Sequence, residues 1–209
     1  MKNPAFTYHR PTSLAEALDL LAEIGDDAKV LAGGQSLLPI MALRLGPPAH
    51  LIDIGRIPAL DTITVTGDES LGIGALVRHF EAEHSPDVAA HAPLVHRALP
   101  HVGHRAIRTR GTVVGSIAHA DPAAEMPAVV LATGATMVAS SAGGTRTIEA
   151  DQFFLGYLQT ALRADELLTE VRFPASPGTS VGTVVEVSRR HGDYALAGLV
   201  CRLDPVSYT

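Results

Sequence analysis

The sequence predicts an α+β fold with two lobes and the start of a third segment. Three observations lead to this class. A capping box, Ser13 to Glu16, opens a stretch with helical spacing. A Gly33-Gly34 turn joins a short apolar run to a second helical stretch. Two alternating runs around Gly67-Asp68 are typical of a hairpin. Because helices and strands do not alternate strictly, these patterns favour α+β over a doubly wound parallel sheet.

Residues 1–55 form the predicted N-terminal lobe. A helix is expected over about residues 13–24, with Leu14, Leu18 and Leu21 at helical spacing. A strand over residues 29–32, a helix over residues 36–45 and a strand over residues 50–54 follow it. The predicted lobe is therefore a small βαβ-like unit with its glycine turn on the connecting edge.

Residues 56–173 form the predicted second lobe. Its expected strands cover residues 62–66, 70–74, 135–140 and 167–173, and its expected helices cover residues 77–84, 87–99 and 123–132. Residues 174–178 read as a linker. Residues 174–209 are then expected to begin a C-terminal α+β domain that stops early.

Composition excludes several classes of function. The 209-residue chain has a formal net charge of −6 and no run of Lys or Arg, so nucleic acid is not an expected partner. Its longest apolar runs, such as residues 126–131, are far shorter than the roughly 20 residues of a membrane span. No apolar signal-peptide region follows Met1, so a cytoplasmic location is expected.

Cysteine and histidine usage limits the metal chemistry. Cys201 is the only cysteine, which excludes an intrachain disulfide and an iron–sulfur cluster held by this chain alone. His101 and His104 have a chelating spacing, but no third ligand motif lies near them. We therefore expect no metal site, and most of the ten histidines are interpreted as surface or helix-face residues.

The first candidate binding segment surrounds Gly33-Gly34. Consecutive glycines let the backbone approach a ligand closely, and the following N–H groups and the Ser36 hydroxyl suit a pyrophosphate. A tight strand-to-helix turn capped by Ser36 explains the same residues equally well. This segment alone does not distinguish the two interpretations.

The second candidate segment is residues 111–125, which combine small residues, hydroxyls, His119 and two carboxylates before a predicted helix. Asp121 and Glu125 are suited to accept hydrogen bonds from ribityl hydroxyls or a ring N–H. The alternative makes Asp121 a helix N-cap and Glu125 a solvated first-turn residue. Taken one residue at a time, the alternative is favoured.

Together, the two segments and residues 107–110 resemble one family: the FAD-binding medium subunits of molybdenum hydroxylases, which include the carbon monoxide dehydrogenase type and the flavin domain of xanthine dehydrogenase. The resemblance extends from Phe6 to about Gly198. It implies a two-lobed PCMH-type (vanillyl-alcohol-oxidase-like) fold with non-covalent FAD between the lobes.

The resemblance also implies a set of contact residues. Residues 32–36 and 112–116 match the pyrophosphate segments, Asp121 and Glu125 match positions near the ribityl chain and adenine, and Leu168 and Tyr194 match positions beside the flavin. The full set of expected FAD contacts is Val30, Leu31, Ala32, Gly33, Gly34, Gln35, Ser36, Leu37, Thr112, Val114, Gly115, Ser116, His119, Asp121, Glu125, Leu168 and Tyr194.

Two departures from the family pattern stand out. The family usually has two glycines before the residue aligned with Ser116, whereas this chain has Val114-Gly115. A β-branched side chain in place of glycine is expected to weaken FAD binding, and Val114→Gly is expected to tighten it. Family members also normally continue for roughly another eighty residues as an α+β domain of ordinary size.

The implied function is electron transfer. By resemblance, a large subunit oxidises substrate at a molybdenum cofactor, a small subunit carries two [2Fe-2S] clusters, and FAD on this chain passes the electrons to NAD or a quinone. The complex is implied to be a dimer of heterotrimers. Two alternatives stay open: a stand-alone flavin oxidoreductase of the same fold, and a non-catalytic remnant that has lost FAD. In none of them does a catalytic nucleophile–base set stand out in the sequence.

Overall fold

The computed structural model describes residues 3–176 and 180–204. Within these residues the strands are β1 (Thr7–His9), β2 (Ala28–Leu31), β3 (His50–Asp53), β4 (Ile63–Val65), β5 (Leu71–Gly74), β6 (Thr136–Ser141), β7 (Gly144–Glu149), β8 (Phe154–Gly156), β9 (Gln159–Thr160), β10 (Leu167–Phe173), β11 (Val181–Val187) and β12 (Ala197–Leu203). The helices are α1 (Leu14–Ile24), α2 (Leu37–Ala42), α3 (His79–Glu83), α4 (Pro86–His91), α5 (Pro93–Ala98), α6 (Arg105–Arg108), α7 (Val113–His119), α8 (Glu125–Thr133) and α9 (Ala150–Phe153).

The N-terminal part builds a three-stranded parallel sheet in the order β1-β3-β2. Helix α1 precedes β2, and its first turn is capped as predicted, because the Ser13 hydroxyl accepts a hydrogen bond from the Glu16 N–H at 3.2 Å. Leu18 and Leu21 of α1 are buried in the core. The first glycine segment leaves this sheet at the end of β2, so the sheet fixes where that segment begins.

A five-stranded antiparallel sheet follows, in the order β4-β5-β10-β6-β7. Its central strand is β10, which confirms the predicted strand over residues 167–173. One hydrophobic core joins α1, this sheet and helices α5, α7 and α8. The α+β class is confirmed.

The strands β11 and β12 form a two-stranded antiparallel hairpin outside both sheets. Val184 and Val200 on its inner face pack against the core. The Arg97 guanidinium donates to the Gly182 carbonyl, and Arg202 donates to the Thr133 carbonyl at 3.2 Å. The hairpin therefore docks on α5 and the end of α8. The predicted linker over residues 174–178 falls partly outside the described residues.

Three predicted elements differ in the structure. The single helix expected over residues 87–99 is two helices, α4 and α5, because Pro93 begins a new helix after Ala92. Helix α2 ends at Ala42 rather than near residue 45. The second candidate segment contains the helix α7, although its glycine and hydroxyl content is typical of a loop.

None of the helices in 3–176 and 180–204 is both long and apolar enough to cross a bilayer.

Candidate functional site

The two candidate segments, 78 residues apart in sequence, meet directly. A Cβ added to Gly33 would lie 2.5 Å from the Arg110 carbonyl oxygen and 2.7 Å from the Gly111 Cα. Both atoms belong to the backbone, so neither can rotate away as a side chain can. Glycine is therefore required at position 33, and the first segment crosses over the start of the second.

Gly34 completes the turn with a positive φ of 71°, a conformation that favours glycine. The Leu38 N–H donates to the Gly34 carbonyl at 3.1 Å, and the Gln35 side chain donates to the Gly33 carbonyl at 3.1 Å. Ser36 precedes α2 but makes no capping hydrogen bond through its side chain. The interpretation of Ser36 as a helix cap is therefore wrong, which leaves its hydroxyl free of that role.

The second segment is organised by Thr112, the N-cap of α7. Its buried hydroxyl accepts a hydrogen bond from the Gly115 N–H at 3.1 Å. A Cβ on Gly115 would lie 2.5 Å from that same oxygen, so the Thr112 side chain would have to shift to admit one. Gly115, Ser116 and His119 are partly exposed along one side of α7. That side is the one available to a ligand.

Val114 lies on the opposite side of α7. Its side chain is 2% exposed and packs in the core with Val113 and Ile117. The expectation that this isopropyl group occupies space next to a bound phosphate is therefore wrong. In a helix, the position before Gly115 faces a different direction from Gly115 itself. The β-branched side chain of Val114 therefore fills the core and does not reach the exposed side of α7.

We now expect Val114→Ala to lower the free energy of unfolding by about 2 kcal/mol, because it removes buried methyl groups and leaves a cavity. The affinity of the folded protein for FAD should stay unchanged. Urea unfolding would measure the first and a fluorescence titration the second. Tighter FAD binding by this variant would instead support the steric obstruction predicted from the sequence.

Residues 77–79 form hydrogen bonds with the backbone at the start of the second segment. The Arg78 guanidinium donates to the Arg110 carbonyl, the same oxygen that a side chain on Gly33 would strike. The His79 N–H donates to the Gly111 carbonyl at 3.0 Å. These hydrogen bonds fix the positions of the backbone atoms that Gly33 contacts.

A second set of interactions, centred on Arg108, fixes the chain just before residues 109–112. Arg108 is buried and forms an ion pair with Glu83 at 2.8 Å. Its guanidinium also donates to the carbonyls of Val102 and Gly103, at 3.2 and 3.0 Å. A charge-assisted network of this kind holds α6 against α3 and so sets the approach of residues 109–112.

His79 is the residue that sequence reasoning missed. Its ring is buried under Gly111, and neither ring nitrogen has a hydrogen-bond partner among the described residues. Burial, reinforced by the Arg108 charge, lowers the pKa of His79 to about 4. The interpretation of the histidines as surface or helix-face residues fails here, since only long-range packing reveals the burial.

The end of the second segment is acidic. Asp121 does not cap a helix, because α8 starts at Glu125 after Ala124; instead its carboxylate accepts from the Ala123 N–H at 2.9 Å. Glu125 is not a solvated residue either. Burial, together with the charges of Glu186 and Asp121, raises the pKa of Glu125 to about 7.

Tyr194 lies beside this acidic group, at the turn between β11 and β12. Burial of its hydroxyl and the neighbouring Asp121 raise the pKa of Tyr194, although the residue as a whole is 64% exposed. Burial likewise lowers the pKa of His119 at the end of α7. Tyr194, Asp121 and Glu125, predicted from distant parts of the sequence, are therefore brought together.

Leu168 is not brought to the same place. It lies on β10 with its side chain 3% exposed inside the core. A side chain that is already covered offers a flavin no surface, so packing of the Leu168 side chain on the ring is not supported. Only its main chain is left for such a contact.

Within 3–176 and 180–204, no group of three or more His, Cys, Asp or Glu side chains could hold an ion. The candidate site therefore consists of the contact between Gly33 and the second segment, hydroxyl groups from both segments, and the carboxyl groups of Asp121 and Glu125.

Comparison with known proteins gives a family match over most of the chain. Residues 4–176 match the family described as the FAD binding domain in molybdopterin dehydrogenase. The nicotine 6-hydroxylase medium subunit of Paenarthrobacter nicotinovorans is 45% identical over 200 residues, covering 95% of this chain and 69% of that protein. The carbon monoxide dehydrogenase medium chain of Hydrogenophaga pseudoflava is 43% identical over 195 residues, covering 93% and 68%.

Solved structures match equally well. A carbon monoxide dehydrogenase from Hydrogenophaga pseudoflava, lacking the Mo-pyranopterin moiety of the molybdenum cofactor, superposes with a TM-score of 0.95 at 41% identity, covering 100% of this chain and 72% of that one. Quinoline 2-oxidoreductase from Pseudomonas putida 86 gives a TM-score of 0.89 at 43% identity, covering 95% and 68%.

Proposed function

Because this chain belongs to the family of FAD-binding domains of molybdopterin dehydrogenases, we propose that it binds one FAD and passes electrons through it as a subunit of a molybdenum hydroxylase complex. The observation that carries the proposal is the contact of Gly33 with Arg110 and Gly111. This backbone contact brings the N–H groups and hydroxyls of the two segments together, so that one pyrophosphate can accept hydrogen bonds from both.

We use the term cleft for the surface formed by the two segments, residues 32–36 and 111–125, and by Tyr194. Charge divides this cleft into two parts. The first part consists of residues 32–36 and 112–116, which contain neither Asp nor Glu. The second contains Asp121 and Glu125, with Glu186 close enough to affect the latter. A pyrophosphate dianion would be repelled by the carboxylates, so we place it on the first part. The neutral ribityl chain and the ring N–H then face the second, where carboxyl groups exchange hydrogen bonds with them.

The protein's role in this reaction is to bind and orient the flavin. Bound FAD supplies the electron-transfer chemistry. Gly33, Gly34 and Gly115 let the two segments pack tightly, because protein atoms already fill the space that a side chain would need. The backbone N–H groups of the segments and the Ser36 and Ser116 hydroxyls are the proposed hydrogen-bond donors to the pyrophosphate. Glu125, with a pKa near 7, is a proton donor or acceptor beside the flavin. We further propose that residues 1–55 and 56–173 are the two lobes that enclose the cofactor.

The remaining steps belong to partner subunits. We propose that electrons reach the flavin from [2Fe-2S] clusters on a small subunit, after substrate oxidation at a molybdenum cofactor on a large one, and leave to NAD or a quinone. One cysteine, Cys201, cannot hold a cluster, which is why a partner is needed. A dimer of heterotrimers in the cytoplasm is the proposed assembly.

Reconstitution tests the proposal. The purified chain mixed with FAD and passed over a desalting column should retain flavin absorbance, and acid precipitation should release all of it, since Cys201 lies outside both segments and the first segment carries Gln35 rather than a nucleophilic side chain. A folded chain that takes up no flavin would contradict the proposal and favour the remnant. Oxidation of a small organic substrate without partners would favour the stand-alone oxidoreductase.

A further inference from the structure

The hairpin β8–β9 carries the most exposed large hydrophobic side chain among the described residues. Tyr157, at its tip, is 76% exposed, and Leu155 beside it is also exposed. The base of the hairpin is the opposite: Phe153 is fully buried and packs edge-on against Phe154 at 5.1 Å. An aromatic side chain is thus held out into solvent on a firmly anchored support.

The tip is fixed next to the second FAD segment. The Leu158 N–H donates to the Ala120 carbonyl at 3.3 Å, and Ala120 directly precedes Asp121. Both residues have a left-handed backbone, with φ values of 54° and 53°. Such a conformation costs a non-glycine residue about 1–2 kcal/mol and persists only where surrounding structure imposes it. Two of these residues joined by one hydrogen bond mark a constrained junction.

Tyr157 also lies close to Tyr194. The phenol of Tyr157 is among the groups that act on the pKa of Tyr194, after burial, Asp121 and Glu125. The two tyrosines come from different hairpins, and the tip that carries Tyr157 is hydrogen-bonded to Ala120, next to Asp121. Two exposed phenols next to a polar cleft offer flat aromatic faces for a flat aromatic ligand.

We propose that Tyr157 is a second aromatic contact to the isoalloxazine ring of FAD, beside Tyr194, and that the β8–β9 hairpin is a third binding segment. The inference rests on the proposed function, because it requires FAD in this cleft. The isoalloxazine ring is apolar on its faces and polar along one edge. The tyrosines and Leu158 meet the faces, while Asp121 and Glu125 meet the edge.

The test compares Tyr157→Ala and Tyr157→Phe with the intact chain in FAD titrations. Leu203→Ala is the control, since Leu203 is also strongly exposed, at 67%, but pairs with Val181 at the end of the β11–β12 hairpin remote from Tyr194. Tyr157→Ala should weaken FAD binding about tenfold, as expected for one lost aromatic contact. Tyr157→Phe should stay within about threefold of the intact chain, because it retains the aromatic face.

Fluorescence of the bound flavin provides an independent readout. A tyrosine in contact with the ring quenches its emission, so Tyr157→Ala should emit more strongly per bound FAD, whereas Leu203→Ala should not. Equal affinity and emission for Tyr157→Ala and the intact chain would overturn the inference and leave the hairpin tip as a surface for a partner protein. No FAD uptake by the intact chain would overturn the proposed function and this inference with it.

Discussion

The Gly33→Ala substitution is expected to weaken FAD binding by at least about a hundredfold, equivalent to roughly 2.7 kcal/mol. The added methyl carbon would lie 2.5 Å from the Arg110 carbonyl oxygen, a distance that real Cβ atoms essentially never show. That oxygen also accepts from Arg78, so it cannot retreat without breaking a second contact. The first segment must therefore lift away from the second, which separates the two halves of the proposed pyrophosphate site.

Gly67→Ala is the matched control. Gly67 lies in the β4–β5 turn, and no atom lies within 4 Å of the Cβ that the substitution adds. Titration with FAD should give the control the affinity of the intact chain, and urea unfolding should show Gly33→Ala destabilised by about 1–3 kcal/mol from overpacking. Normal FAD affinity in a folded Gly33→Ala chain would mean that the segments do not bind the pyrophosphate at this crossing.

What the sequence predicted correctly depends on short-range patterns. The capping box at Ser13 specifies a helix start through atoms three residues apart, and β10 is marked by β-branched and apolar residues between turns. The glycine pair at 33–34 is visible for the same reason. That Gly33 needs to be glycine because of Arg110 is not visible, since the two come together only through the packing of α3 beneath the second segment.

The errors arose where local composition and tertiary packing disagree. The Val-Val-Gly-Ser stretch at 113–116 contains poor helix formers, yet Thr112 caps it and Val113, Val114 and Ile117 bury one face, so it becomes α7. Because Val114 lies on the buried face of α7, it is a core residue and not the obstruction to FAD binding that the sequence predicted. His79 and Tyr157 carry no local signal at all, because burial of the one and exposure of the other depend on distant elements.

The pH dependence of stability is expected to hide two large opposing contributions. Below its ordinary pKa of 6.5, His79 becomes protonated in the unfolded chain but stays neutral in the folded one down to about pH 4. Its contribution is fully present above pH 6.5 and is lost as the pH falls toward 4. A shift of this size corresponds to about 3 kcal/mol.

Glu125 acts in the opposite direction. Above its ordinary pKa of 4.5 it ionises in the unfolded chain, while in the folded chain it keeps its proton up to about pH 7. Its burial therefore costs stability progressively as the pH rises from 4.5 to 7, again by about 3 kcal/mol at the upper end. Between pH 4.5 and 6.5, His79 raises stability with pH and Glu125 lowers it, each by about 1.4 kcal/mol per pH unit, so they nearly cancel.

Single substitutions should separate the contributions of His79 and Glu125 to the pH dependence of stability. In urea unfolding at a series of pH values from 4.5 to 6.5, the slope of stability against pH should be more negative for His79→Leu than for the intact chain, because the opposing contribution of His79 is removed. Glu125→Gln should gain stability as the pH rises over the same range, because the contribution of His79, with a smaller one of the same sign from His119, is then unopposed. The slope of the double variant should be close to that of the intact chain, since the two removed contributions are nearly equal and opposite. Parallel slopes in both single variants would show that neither side chain is held in its neutral form by the fold, and would remove the basis for treating Glu125 as a proton donor or acceptor beside the flavin.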